Sequence, residues 1–96
     1  VAAKEALALG PHMPAGYELA DVSAVQALQE GTATADQQKR ALRWMIERAA
    51  ATYEAHFYPD ERLTVFALGR AFVGQQLVKM LRLNVSTLRK VEDGRR

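Results

Sequence analysis

The sequence predicts an all-α chain. It reads as an antiparallel hairpin of two long helices, about 35–57 and 61–83, with a short N-terminal helix (about 22–30) and an extended arm. Three observations predict this. Apolar residues recur at spacings of three and four along both long segments, which is the pattern of a helix face. Thr34-Ala35-Asp36-Gln37 and Pro59-Asp60-Glu61 have the form of helix starts. No stretch alternates apolar and polar residues as a strand does.

The elements follow in order. Residues 1–20 form the arm, because Gly10-Pro11 and Pro14-Ala15-Gly16 break any helix there. Asp21 is the expected N-cap of the short helix, Gly31 its terminator, and Val22, Val25 and Leu28 its inner edge. The Thr34 capping box opens the first long helix, whose face carries Leu42, Met45, Ile46, Ala49 and Tyr53. Tyr58 precedes proline and is pushed away from helical geometry, and Asp60 then caps the second long helix. Folding at Pro59 sets Tyr53 near Phe66, Ile46 near Val73, Leu42 near Leu77 and Arg70 near Ala49. Asn84 is the expected left-handed terminator. The helical domain is thus 21–84, and 85–96 is a short basic segment in which Ser86 caps a last turn carrying Leu88 and Val91.

Composition narrows the class of protein. A chain of 96 residues makes one small domain and buries a modest share of its surface. It has no cysteine, which removes disulfides and thiolate metal sites and suits a cytoplasmic place of assembly. No run of about 18 apolar residues predicts a membrane span, and VAAKEALALG lacks the basic start and long apolar core of a signal peptide. Charge is uneven: residues 1–38 hold one base against five acids, residues 39–96 twelve bases against six acids. Arg82, Arg89, Lys90, Arg95 and Arg96 are the candidate contacts to an anionic partner such as DNA, and a plain solvated tail is the simpler account.

The residues do not form a catalytic pattern. His12 and His56 have no second histidine or carboxylate at a helical ligand spacing. Ser23 and Ser86 lack the context of a nucleophile elbow, and no glycine-rich phosphate loop follows a strand. No enzyme activity, metal or cofactor is expected.

What the sequence does offer is surface. Both long helices carry a second apolar face, Trp44 with alanines on the first and Val65, Leu68 and Phe72 on the second. The short helix covers only one of them, which leaves the other to the arm or to another chain. Gly69 and Gly74 each cost about 1 kcal/mol relative to alanine in a helix interior. Gly74 faces the first helix, whereas Gly69 is the candidate for contact with another subunit. Arg70 falls on an apolar stripe and needs solvent, a carboxylate of its own chain (Glu47, Glu54, Asp60), or one of a neighbouring subunit.

Two resemblances follow from these residues. Leu77 to Arg96 resembles the helix-turn-helix core of phage-repressor-type regulators, in which a Ser/Thr-led recognition helix ends in an acidic-Gly sequence. It departs from that pattern at Arg82, where the turn glycine belongs, and at Gly74, where a glutamine belongs. Asp21 to Leu83 is similar to a family of small tailed-phage proteins encoded in the head-and-packaging region of short-tailed phages. The likeness rests on Phe66-Ala67-Leu68-Gly69-Arg70 followed by the apolar run Ala71 to Leu81. It implies a virion or virion-assembly component at the portal and tail vertex, or among proteins ejected with DNA. Its partners would be other virion proteins, in multiple copies, and it would be assembled in the host cytoplasm. The alternative is a DNA-binding regulator or packaging-recognition subunit.

Overall fold

A computed structural model describes residues 11–95, and within them the chain is entirely helical. Four α-helices form, α1 (Leu19–Glu30), α2 (Ala35–Trp44), α3 (Glu61–Arg82) and α4 (Val85–Gly94). A π-helical turn, Met45–Ala49, continues α2. Residues 1–10 and Arg96, including the helical turn considered at Lys4–Leu9, lie outside the described residues.

Local chemistry sets the helix starts. The Thr34 hydroxyl accepts from Gln37 N–H at 3.2 Å and the Gln37 side chain accepts from Thr34 N–H at 3.0 Å, closing the expected capping box. Asp60 accepts from Arg62 N–H at 2.8 Å and starts α3 as expected. Asp21 is not the cap of α1. That helix begins three residues earlier, after Glu18, and the Asp21 carboxylate reaches back to accept from Glu18 N–H at 2.9 Å. Gly31 ends α1 in the left-handed region (φ 77°), and Thr32 N–H bonds to Ala27 C=O at 2.9 Å. Arg40 ties the two helices together through Asp21 (2.9 Å) and Glu18 (3.3 Å).

The first long helix departs most from expectation. It does not run to residue 57 but ends at Ala49. Beyond the π turn, Ile46 C=O accepts both Thr52 N–H (3.1 Å) and the Thr52 hydroxyl (2.7 Å). Between them Ala51 sits at φ 48°, a left-handed conformation that a β-carbon disfavours. These bonds draw the backbone into a tight buried turn, Ala50–Thr52, that replaces the last two turns of helix. His56 shares a hydrogen bond with Ala51 C=O at 3.3 Å, and the Thr64 hydroxyl links to both Tyr58 N–H (2.8 Å) and C=O (3.2 Å), fastening the connection into α3.

The hairpin of two equal helices therefore does not form. α3 meets the π turn and the residues after it, and it does so with its smallest side chains. Ala67, Ala71 and Gly74, at i, i+4 and i+7, are its buried positions. Phe66 and Val73, expected inside the hairpin, are half exposed, at 50% and 57%. The face is different because α3 packs on the backbone of a turn, and only a strip of small residues comes close enough. A Cβ on Gly74 would overlap the Thr52 hydroxyl and come within 2.9 Å of the Ala50 methyl. Toward its C-terminal end α3 draws away from α2, leaving an open groove lined by Leu42, Ile46, Tyr53, Val78 and Leu81.

The buried apolar set is correspondingly small: Ala24, Ala41, Ile46, Ala50, Ala51, Ala67 and Ala71. In α1 the buried residue is Ala24, not the expected Val22, Val25 and Leu28 edge. The radius of gyration is 16.5 Å with extents of 50 × 36 × 16 Å. A compact domain of this length has a radius of about 12–13 Å.

Asn84 does not end α3 in a left-handed turn. Its φ and ψ are −85° and 110°, and its side chain accepts from Thr87 N–H at 3.0 Å, so it caps α4. The segment expected as a short basic tail is a ten-residue helix, started two residues before the predicted Ser86 cap.

Gly74→Ala is expected to destabilise the chain by about 1–3 kcal/mol despite alanine's better helix propensity, because overpacking outweighs it. Ala51→Val is expected to cost at least about 2 kcal/mol through its left-handed backbone, whereas Ala51→Gly is tolerated. Urea denaturation followed by far-UV circular dichroism measures both.

Candidate interaction surface

A helix has about 100° between successive residues, so the strip Ala67, Ala71 and Gly74 defines an inner side of α3 and Gly69 falls almost opposite it. Leu68, Phe72 and Val65 flank Gly69 on one side, and Phe66, Val73 and Met80 on the other. Together they make a largely apolar arc spanning about 160° of the helix circumference, within which exposed Arg62 and Gln76 also fall, one near each end of the helix. Val65 is 63% exposed, Leu68 44%, Phe72 59% and Met80 71%. A Cβ on Gly69 would meet nothing within 4 Å, and its φ lies outside the range that favours glycine. Nothing within the described residues requires a glycine there, although it costs the helix about 1 kcal/mol.

These six side chains leave on the order of 600 Å² of largely apolar surface in water, at the upper end for the largest patch of an ordinary monomer. α4 adds to it. None of its residues is buried, and Val85, Leu88 and Val91 are 64%, 45% and 47% exposed. A ten-residue helix with no buried residue among those described is marginal in water on its own.

The second predicted patch behaves differently. Trp44 is half-buried, and its indole N–H donates to Gly16 C=O at 3.1 Å. The described part of the arm thus folds back over the first helical segment. Arg70 holds the same arm from the other side. Its Nη1 donates to Pro11 C=O at 2.9 Å, and Pro11 is fully buried. This replaces the carboxylate partners considered for Arg70. Its Nε and Nη2 atoms are buried and have no partner among the described residues. A backbone carbonyl neutralises no charge, so Arg70 satisfies only part of its hydrogen-bonding capacity here.

Arg82, Arg89, Lys90 and Arg95 are exposed, and Arg96 lies outside the described residues. Among the described residues the ion pairs are those of Arg40, and none involves these bases. No group of three or more His, Cys, Asp or Glu side chains converges among the described residues. No helix is long and apolar enough to cross a membrane.

Sequence reasoning missed Phe66, Val73 and Met80 as parts of the exposed arc. The signal was present: the small residues Ala67, Ala71 and Gly74 share one line along the helix, and the side that packs closest is the side that can. The Arg70–Pro11 contact carried no comparable signal. Comparisons with protein-family models, curated proteins and solved structures find no match.

Removing the Arg70 hydrogen bond should loosen the arm. Arg70→Met is expected to expose residues 11–16 to limited proteolysis. Trp44, the only tryptophan, should report the same event as a red shift in its emission. An unchanged spectrum and cleavage pattern would show that Arg70 does not hold the arm.

Proposed function

We propose that this chain is an assembly subunit, a small structural component of a tailed-phage particle that other virion proteins hold through the outer arc of α3. One observation carries the reading. In a helix of 22 residues the fully buried positions are Ala67, Ala71 and Gly74, with Leu63, Leu77 and Val78 half-buried beside them, while six larger apolar side chains stand in solvent. The elongated shape and alanine-rich interior support the same reading, since neither suits a chain that works alone.

The similarity to short-tailed-phage head-and-packaging proteins supplies the kind of particle. Its motif falls across both sides of α3: Phe66, Leu68 and Gly69 look outward, Ala67 is buried, and Arg70 turns to the arm. A portal and tail-vertex position, or release with the DNA, fits such a subunit, with the virion as its location. The exposed bases of α4 are available to DNA that passes nearby.

The helix-turn-helix alternative finds less support in the geometry. Such a unit encloses apolar residues between its two helices. Here Leu81, Leu88 and Val91 are 60%, 45% and 47% exposed.

The test separates the two. Phe72→Asp is expected to leave the helical content unchanged, because Phe72 lies outside the core, and to remove the chain from purified particles as judged by mass spectrometry. Replacing Arg89, Lys90 and Arg95 together should leave incorporation intact. A chain that is missing from wild-type particles, and whose DNA affinity falls steeply with salt and depends on those bases, would overturn the proposal.

A further inference from the structure

The outer arc of α3 has an internal symmetry that identifies one occupant. We infer that a second copy of this chain docks there, with the two α3 helices antiparallel and crossing at Gly69. This rests on the reading of the arc as an assembly surface and names the first partner on it.

Gly69 sits at the centre of the arc, and Val65, Phe66, Phe72 and Val73 stand at i−4, i−3, i+3 and i+4 around it. This is the arrangement in which two helices can approach closely at one point and interlock side chains on either side. A two-fold axis beside Gly69 would lay the same patch against itself, as an isologous dimer requires. Val65 of one copy would lie near Val73 of the other. The glycine that nothing in the described chain requires would then be required by the neighbouring helix.

The charges at the ends of the arc select the antiparallel direction. Glu61 and Lys79 are eighteen residues apart, five turns at 3.6 residues per turn, and so lie on one line along the flank of α3. Both are exposed, and neither has an ion-pair partner among the described residues. Their midpoint is residue 70, beside Gly69. In an antiparallel pair Glu61 comes opposite Lys79 of the second copy, and the axis makes the contact twice. A parallel two-fold pair would put this flank of the two copies on opposite sides of the seam, where Glu61 meets neither Lys79 nor its own counterpart.

The area is sufficient. The apolar arc offers on the order of 600 Å², and the polar residues Glu61, Arg62, Gln76 and Lys79 bring it close to the roughly 800 Å² per partner of a stable interface, with the Arg62 stem able to carry its charge out at the end of the helix.

The full chain, free of native cysteine, permits a direct test. Sedimentation velocity at micromolar concentrations should show a dimer. Gly69→Cys should form a disulfide-linked dimer under mild oxidation, since the two Cα atoms at the crossing fall within about 7 Å, whereas Ser23→Cys on α1 should not. Glu61→Lys should weaken association roughly three- to tenfold, and adding Lys79→Glu to the same chain should restore it. Each of these positions is exposed, so circular dichroism should be unchanged in every variant. A monomer throughout the concentration range, equal cross-linking at residues 23 and 69, or a charge swap that is not rescued would overturn the inference. None of those results touches the assembly reading, which particle incorporation decides separately.

Discussion

The backbone of α3 lies against the Ala50–Thr52 turn so closely that position 74 has no room for a side chain. The rest of the fold is arranged around that approach. The Thr52 hydroxyl and amide both close on Ile46 C=O, which ends the π turn and sets the direction of the connection. With the turn fixed, the small strip of α3 faces it most closely, and Val65, Phe66, Leu68, Phe72 and Val73 look elsewhere. The outer arc is the geometric complement of the inner contact, and one cannot change without the other.

Such a core has energetic consequences. A fully buried leucine or phenylalanine contributes about 1.5–3 kcal/mol, and a methyl group well under half of that. A core whose largest member is Ile46 leaves the fold leaning on polar fastenings. The capping boxes, the Arg40 bridge from α2 to the start of α1, and the Arg70 and Trp44 contacts to the arm each tie together segments that little apolar burial would hold. A partner that bound only the folded state would add to this directly.

Much of the secondary structure was legible in the sequence, because caps are local chemistry. Thr34 with Gln37, Asp60 and Gly31 mark boundaries that the structure places where their side chains and backbone preferences require. The end of the first long helix was illegible for a physical reason. A left-handed residue normally announces itself as glycine or asparagine, and here it is Ala51, held by bonds that form only once Thr52 has turned back on Ile46. Asn84 misled in the opposite sense, since asparagine serves equally at the end of one helix and the start of another. Periodicity found the two-sided character of α3 but turned Phe66 and Val73 inward, as hydrophobicity alone suggests, whereas Leu77, assigned inward with them, is half-buried. The exposed patch at Val65, Leu68, Gly69 and Phe72 could be named from sequence because it is a property of one helix. Trp44 and Arg70 depended on where the arm lies, and no spacing rule encodes that.

The junction between α3 and α4 is two residues long. Leu83 and Asn84 are extended and exposed, and the bonds at the joint stay within neighbouring turns: Leu83 N–H to Lys79 C=O, and the Asn84 side chain to Thr87 N–H. Four backbone torsions therefore decide where α4 points, and turning them disturbs neither the Gly74 contact nor the outer arc. Closed shells and rings often need one polypeptide to occupy positions with different surroundings. Were the chain the assembly subunit proposed above, a body carrying a terminal helix on a two-residue pivot would meet that need, with the body repeating identically while the helix adjusts to its surroundings.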